Sequence, residues 1–206
     1  MSEVVVRPAR DEDIDAVGTL LGQAFAGDSY TRVLFGNVDD AADRASDFFS
    51  HEIRTQYLPF GAVDIAEIDG QLAGVALWTR PDHPSGILHE LRTLPGYLRR
   101  LGCRAPRAMI SGWQSAKHHP PFPHWYLYLL GVSPDFQGRG IGGALLDYRL
   151  ACFGPNDAAY LEATTPGSAR LYARYGFVSL GEVPLTQGRT MLGMWRPAQP
   201  GPQPKD

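Results

Sequence analysis

Two hydrophobic patterns alternate along the chain and predict strands separated by helices. Residues 125–132, Trp-Tyr-Leu-Tyr-Leu-Leu-Gly-Val, form an unbroken apolar and aromatic run followed by a Ser-Pro-Asp turn signal, which predicts a buried strand. Ile141, Leu145, Tyr148 and Cys152 then recur at helical spacing and predict a helix with one face on a sheet. We expect this strand and helix to form the centre of the fold.

The remaining pattern predicts a full α/β domain around that centre. Alternating or continuous apolar runs predict further strands at 3–7, 63–68, 72–79, 158–163, 177 onward and 189–195. Helical spacing is found at 11–25, irregularly up to residue 60, and at 87–101, 106–117 and 166–175. The Asp-Gly pair at 69–70 predicts a two-residue hairpin turn. We expect one domain over 1–196 and a proline-rich, disordered tail over 197–206.

A glycine-rich run lies where the central helix should begin. Residues Gln137–Gly143 read Gln-Gly-Arg-Gly-Ile-Gly-Gly, although glycine costs about 1 kcal/mol relative to alanine inside a helix. At a helix N-terminus, however, glycine leaves the unpaired N–H groups open at the positive end of the helix dipole. We call Gln137–Gly143 the glycine cradle and expect it to bind a phosphate or pyrophosphate.

Several interpretations of the cradle compete. A P-loop is excluded because no Gly-Lys-Ser/Thr follows. Gly138, Gly140 and Gly143 satisfy the dinucleotide fingerprint, and Glu162 follows at a suitable distance. However, residues 133–137 intervene between the strand and the first of these glycines, and too little chain remains for a doubly wound sheet. A glycine turn that binds nothing is disfavoured because strand, loop, cradle and helix occur in the order that binding needs. The third phosphate-binding interpretation, the pyrophosphate site of an acyl-CoA transferase, rests on the family resemblance described next.

The residues of the cradle carry a family resemblance. Gln-Gly-Arg-Gly-Ile-Gly fits Q/R-x-x-G-x-G/A, preceded by Val-Ser-Pro-Asp-Phe, and resembles the GNAT superfamily of N-acetyltransferases. The run 161–177 resembles the family's second motif, and the order of elements over 3–195 is similar to its fold. The resemblance implies an α/β (α+β) fold with a mixed central β-sheet flanked by helices and splayed around the central strand at the acetyl-CoA site. His-Trp-Tyr-Leu and Leu-Gly-Val-Ser-Pro further resemble the puromycin N-acetyltransferase branch.

The resemblance implies a role for each part of an acetyl-CoA site. The backbone of Leu130, Gly131 and Val132 would pair with pantetheine, and Val132 N–H would polarise the thioester carbonyl. Tyr172 would be the general acid, because a phenol with a pKa of about 10 can protonate a thiolate whose conjugate acid has a pKa of about 8.5. Ser168 shares its helix face and would contact pantetheine. The pyrophosphate contacts fall on the cradle residues Gln137, Gly138, Arg139, Gly140, Ile141, Gly142 and Gly143.

The base and the acceptor pocket are less sharply defined by the sequence. Glu162, on the strand beside the central one, and His124, just before it, are candidates to take the amine's proton, although a structural role is the simpler interpretation of each. Asp28 and Tyr30 lie where the family's first inter-helix loop lines the acceptor pocket, and an ordinary exposed loop is an equal alternative.

Composition narrows the classes of partner. A net charge of −3 gives no reason to propose nucleic-acid binding. The sequence contains no apolar run of 18 residues, so no membrane span is predicted. The two cysteines do not form a disulfide framework, and Cys152 is expected to be buried on the helix stripe. His118, His119 and His124 lack a supporting ligand set, so no metal is expected. We expect a cytoplasmic monomer or homodimer.

Two functional hypotheses follow. The first is an acetyl-CoA-dependent N-acetyltransferase that acetylates a primary amine of a small molecule, such as an antibiotic or related metabolite, with protein N-termini or lysines as alternative acceptors. The second is a non-catalytic acyl-CoA-binding sensor on the same fold. Tyr172 favours the enzyme, because a sensor needs no general acid.

Overall fold

The computed structural model describes residues 3–26, 31, 34–35, 40–82, 87–106, 110, 117–185 and 189–199. The five principal helices among them are α1 (Ile14–Ala24), α2 (Ala41–Glu52), α3 (Ile87–Leu101), α4 (Ile141–Ala151) and α5 (Pro166–Arg174). The strands are β1 (Val4–Pro8), β2 (Gly61–Ile68), β3 (Gln71–Thr79), β4 (Trp125–Val132), β5 (Ala159–Ala163), β6 (Val178–Leu185) and β7 (Arg189–Arg196). The predicted order is confirmed for these elements, whereas most of the helix predicted at 106–117 lies outside the described residues.

These strands form one mixed sheet. Within the described ranges its order is β1-β2-β3-β4-β5-β7-β6, and β4 with β5 is the parallel pair in an otherwise antiparallel sheet. The parallel pair requires a crossover connection, which α4 supplies. The predicted mixed sheet flanked by helices is therefore confirmed.

The hairpin between β2 and β3 turns at the predicted residues. Asp69 has φ of 50° and Gly70 has φ of 74°, so both central residues adopt the left-handed conformation that a type I′ turn needs. Ile68 pairs directly with Gln71 across this turn. A two-residue loop fixes the register, and the hairpin is therefore specified locally.

Two apolar clusters lie on opposite faces of the sheet. The α1/α2 face packs around Leu21, Phe48 and Phe49, all nearly inaccessible to solvent. The α4/α5 face packs around Ile141 and Leu145. Side chains of successive strand residues point to opposite faces, and β4 contributes to both clusters, with Leu129 on the α1/α2 face and Leu127 on the α4/α5 face.

One prediction about α4 is wrong. Cys152 is exposed, because α4 ends at Ala151 and Cys152 is the C-cap residue. The buried face runs instead through Ile141, Leu145 and Leu146, and the largely buried Arg149 continues it. Arg149 Nε donates to Asp64 Oδ2 over 2.8 Å, and the carboxylate of Asp64 is fully buried, so this helix face carries an ion pair where the stripe predicted apolar contact.

Candidate active site

The centre of the site is the separation of β4 from β5. The two strands pair only at Trp125–Ala159, Tyr126–Tyr160 and Leu127–Leu161, although β4 continues to Val132. β5 instead completes its pairing with β7 on the other side. We call the gap beyond Leu127 and Leu161 the splay. It leaves one backbone edge of β4 available to an extended ligand, as the family resemblance implied.

A bulge lies at the mouth of the splay, by which we mean the point just after Leu127 and Leu161 where β4 and β5 separate. The register between β3 and β4 shifts so that Leu129 pairs with Leu77 and Leu127 pairs with Trp78, which leaves Tyr128 as the extra residue. Bulges re-aim side chains and are frequent beside active sites. Leu127 and Leu161 are the last residues at which β4 and β5 pair with each other. Tyr128 and Glu162 directly follow them, one on each side of the splay.

The glycine cradle follows β4 at the splay. Gly138 and Gly140 have φ of 76° and 82°, a conformation that side-chain-bearing residues rarely adopt, and both are exposed. Gly140 is the N-cap of α4, and no side chain of the described residues caps it. The N–H groups of the first turn are therefore left for an anion, which fits the predicted pyrophosphate site.

The two later glycines of the cradle serve close packing. A Cβ on Gly142 would lie 3.2 Å from Leu171 Cδ2, and one on Gly143 would lie 2.8 Å from the hydroxyl of Tyr175. That hydroxyl donates to Asp147 Oδ2 over 3.1 Å, so Tyr175 links α5 to α4. Small residues at these positions let α5 approach the start of α4.

Tyr172 lies on the α4/α5 face beneath the mouth of the splay. It belongs to the cluster that contains Leu127 and Leu161, the last paired residues of β4 and β5, and only 7% of it is exposed. Its ring packs edge-on against Phe177 with centroids 6.0 Å apart. Burial raises the pKa of its phenol, so the group stays protonated at neutral pH and can act only as a proton donor.

Ser168 has a local partner that the resemblance did not predict. Ser168 Oγ donates to the carbonyl of Thr165 over 2.9 Å, and Ser168 N–H donates to Thr165 Oγ1 over 3.1 Å. Thr165 is thus the N-cap of α5, and Ser168 completes a capping box. The side chain is engaged in the cap, and its contact with pantetheine stays a prediction.

Glu162 lies on the α1/α2 face between two tyrosine hydroxyls. Tyr126 donates to Glu162 Oε2 over 3.4 Å, and Tyr160 donates to Oε1 over 3.3 Å. Burial, together with the negative charge of Glu162, raises the pKa of Tyr160. This carboxylate is half-buried at the edge of the splay, and is placed to attract a cationic amine.

Two histidines cover these tyrosines. The ring of His119 lies 4.4 Å from that of Tyr126 and 4.7 Å from that of Tyr160, and burial lowers its pKa to about 4. His124 packs beside it, with Nδ1 2.6 Å from the carbonyl oxygen of Phe122. Among the described residues no three potential ligands cluster around a metal position. The imidazole of His119 is therefore neutral, and its ring forms part of the aromatic lining of the site.

The sequence interpretation missed Glu52, the last residue of α2. Only 8% of it is exposed, and it accepts hydrogen bonds from Tyr128 over 2.8 Å and from Tyr97 over 3.1 Å. Burial raises the pKa of its carboxyl to about 7, although the hydrogen bonds from both hydroxyls partly lower it. One signal was present, since Glu52 continues the apolar stripe of Ala45 and Phe49, where a charged residue is unusual.

The predicted acceptor residues Asp28 and Tyr30 lie outside the described residues. Within the described ranges, no helix is both long enough and apolar enough to cross a membrane.

The chain is similar to known acetyltransferases. A family model described as acetyltransferase (GNAT) domain matches residues 107–179. The N-alpha-acetyltransferase RimI of Mycobacterium tuberculosis is 31% identical over 121 residues, which cover 56% of this chain and 72% of that protein.

Solved structures extend the similarity to nearly the whole chain. A structure described as histone acetyltransferase HPA2 and related acetyltransferase, from Corynebacterium glutamicum, is 35% identical with a TM-score of 0.79, covering 98% of this chain and 99% of that one. An N-acetyltransferase from Staphylococcus aureus, 17% identical with a TM-score of 0.66, covers 93% of this chain and 99% of that one and shares the fold. This chain therefore belongs to the GNAT family and is an acetyl-CoA-dependent N-acetyltransferase.

Proposed function

We propose that the protein transfers the acetyl group of acetyl-CoA to a primary amine of a small molecule. The observation that carries this proposal is the splay, which has the glycine cradle at its far end and Glu162 at its mouth. Acetyl-CoA has a pyrophosphate, an extended pantetheine and a thioester in the same linear order. The cradle, the free edge of β4 and the mouth of the splay match these three parts.

The backbone holds most of the acetyl-CoA in this proposal. The N–H groups at the start of α4 bind pyrophosphate, and the main chain of Leu130, Gly131 and Val132 pairs with pantetheine along the splay. Leu130 and Val132 pack toward the α4/α5 face, and a Cβ on Gly131 would lie 2.9 Å from Leu21, so this edge is fixed from both sides. A fixed edge positions the thioester at the mouth, between Tyr128 and Glu162.

The acid and the acceptor lie on opposite faces of that thioester. Tyr172 comes from the α4/α5 face, whereas Glu162 and its tyrosines come from the α1/α2 face. The amine attacks the carbonyl carbon from the Glu162 side, a C–N bond forms, and the C–S bond breaks. The leaving thiolate takes its proton from Tyr172, whose raised pKa keeps the phenol protonated until that step.

The lining of the acceptor side supports a small molecule. Tyr126 and His119 form an aromatic wall backed by the fully buried Tyr160, and aromatic faces attract a cation as well as an apolar stem. A covered aromatic wall suits one compact amine better than a peptide lying across an open groove. The puromycin N-acetyltransferase branch, a cytoplasmic location and a monomeric or homodimeric state stay predictions from the sequence.

A second acceptor class has one observation in its favour. The relative from Mycobacterium tuberculosis carries the name N-alpha-acetyltransferase, so a protein N-terminus is the alternative acceptor here. The two classes share the acetyl-CoA site and differ only in what occupies the acceptor side.

Thiol release from acetyl-CoA, measured with a panel of small amines and a panel of short peptides, tests the proposal. We expect release with at least one small amine and a product heavier by one acetyl group. Release with peptides alone would replace the small molecule by a protein N-terminus or lysine. Release with neither would favour the sensor hypothesis.

The cradle has its own test in Gly140→Asp, which adds a carboxylate and a strained φ where pyrophosphate must approach. Gly102→Asp is the matched control, because Gly102 also has a positive φ, 54°, and open space, but lies in the turn after α3. We expect calorimetry to detect no acetyl-CoA binding by the first variant and near-native binding by the second. Native affinity in both would show that the cradle has been misplaced.

A further inference from the structure

We propose that Glu52 receives the proton of the acceptor amine, and that the hydroxyl of Tyr128 relays it. This inference rests on the proposed function and supplies the base that the sequence did not identify. Tyr128 is the group that touches the amine, and Glu52 acts through it.

The first support is geometric. Tyr128 is the bulge residue of β4 at the mouth of the splay, and its half-buried side chain donates a 2.8 Å hydrogen bond to Glu52 Oε2. Its ring stacks on Tyr57 with centroids 5.2 Å apart and planes within 11°, which holds the hydroxyl in place. The proton of this hydroxyl therefore points at a buried carboxylate, and Tyr128 itself directly follows Leu127, the last residue of β4 that pairs with β5.

A second backbone irregularity meets the bulge here. Residues Ile53–Tyr57, directly after Glu52, form a π-helical stretch, and Tyr57 is the residue that stacks on Tyr128. π-Helical turns and strand bulges are both rare, and both are frequent at functional sites. They coincide at Glu52 and Tyr128, which a purely structural role for this pair would not require.

The electrostatic surroundings of Glu52 suit a proton acceptor. Its two oxygens face the hydroxyls of Tyr97 on α3 and Tyr128 on β4, and among the described residues no cation contacts it. A carboxylate without a cation in an apolar site binds a proton readily, and its pKa of about 7 is close to the pH at which a base is most effective.

The other charged groups on the elements around Glu52 are directed elsewhere. His51 packs against the ring of Tyr97 with centroids 5.3 Å apart, and burial lowers its pKa, so it stays neutral. Arg100 on α3 pairs with Asp47 on α2 over 2.9 Å. The pH response assigned to Glu52 is therefore its own.

The proposed step balances in atoms and charge. As the amine nitrogen bonds to the thioester carbon, its proton passes to Tyr128 Oη, and the proton of Tyr128 passes to Glu52 Oε2. The C–S bond breaks, and the thiolate takes a proton from Tyr172. Glu52 then releases a proton to solvent and Tyr172 regains one. Glu162 has the separate task of attracting the ammonium form, which releases its first proton to solvent before the nitrogen attacks.

Kinetics of E52Q, Y128F and E162Q on an amine that the wild type acetylates test this assignment. We expect kcat of E52Q and Y128F to fall about 100-fold, with acetyl-CoA affinity unchanged. The rise of wild-type kcat through about pH 7 should disappear in E52Q. E162Q should instead raise the amine KM and keep that pH dependence. The control E67Q, which changes a partly exposed carboxylate outside the site, should behave as wild type.

Each other outcome overturns the assignment. Native kcat with an intact pH dependence in E52Q removes Glu52 from the mechanism, and loss of the pH dependence in E162Q makes Glu162 the base. If E52Q fails to fold, Y128F decides, because it breaks the relay and leaves the carboxylate in place. Absence of activity with every amine and peptide overturns the proposed function as well, whereas wild-type activity with unaffected variants overturns the relay alone.

Discussion

The buried carboxylate of Glu52 should lower the stability of the folded protein at neutral pH, and Glu52→Gln should raise it. Glutamine keeps the shape of the side chain and can still hydrogen-bond to both tyrosine hydroxyls, but it carries no charge to desolvate. We expect the free energy of unfolding of E52Q to exceed that of the wild type at pH 8.

The magnitude follows from the two pKa values. The carboxyl of Glu52 has a pKa of about 7 in the folded protein against 4.5 as the reference value. A raised pKa means that the folded state binds the proton more tightly, so stability is greatest below about pH 4.5 and is lost as the pH rises through 7. Each unit is worth 1.36 kcal/mol, which gives a gain for E52Q of about 3 kcal/mol at pH 8 and about 1 kcal/mol at pH 5.

Urea unfolding of both proteins between pH 5 and pH 8 measures this difference. The control is Glu67→Gln on β2, which removes a carboxylate that is paired with Arg7 over 2.8 Å nearer the surface. The control should show no gain at pH 8. If E52Q is no more stable than the wild type at pH 8, the carboxylate is not charged in a desolvated site and the reasoning fails.

Two further substitutions test the acid and the core. Tyr172→Phe should lower kcat about 10²–10⁴-fold with little change in acetyl-CoA affinity. The control Tyr148→Phe on α4 should leave both quantities unchanged. An unaltered kcat in Tyr172→Phe would remove Tyr172 from the mechanism. Arg149→Met should lower the free energy of unfolding, measured in urea, by about 3–5 kcal/mol, because it leaves the fully buried carboxylate of Asp64 without its cation. Adding Asp64→Asn should recover most of this loss. A loss under about 1 kcal/mol in the single variant would contradict the prediction.

Local signals in the sequence were sufficient for the architecture. The Asp69-Gly70 turn, the Thr165-Pro166 helix start and the left-handed Gly176 are each decided by residues within one turn of the chain. The same holds for the cradle, where the conformations of Gly138 and Gly140 depend on the missing side chain. Features of this kind can be predicted because no distant residue is needed to create them.

The features that sequence did not predict depend on distant partners. Glu52 is buried because Tyr97 and Tyr128, 45 and 76 residues away, bring their hydroxyls to it. Arg149 could replace an apolar residue on the buried face of α4 because Asp64, 85 residues earlier, lies in the sheet below. Helical spacing identifies which positions face the sheet, but it carries no information about what the sheet presents to them.

The two expectations for Glu52→Gln have opposite signs, and this opposition separates a functional carboxylate from a structural one. A residue kept for packing or for its hydrogen bonds should lose stability when altered, and activity should fall only as the folded population falls. Glu52 is expected to lose about 100-fold in kcat while the protein becomes about 3 kcal/mol more stable at pH 8. A desolvated charge that weakens the fold is retained when the reaction needs it, as stability is commonly lost to a strained active site. Stability and kcat measured on the same preparation of E52Q therefore decide between these roles, because no folding defect can raise one and lower the other.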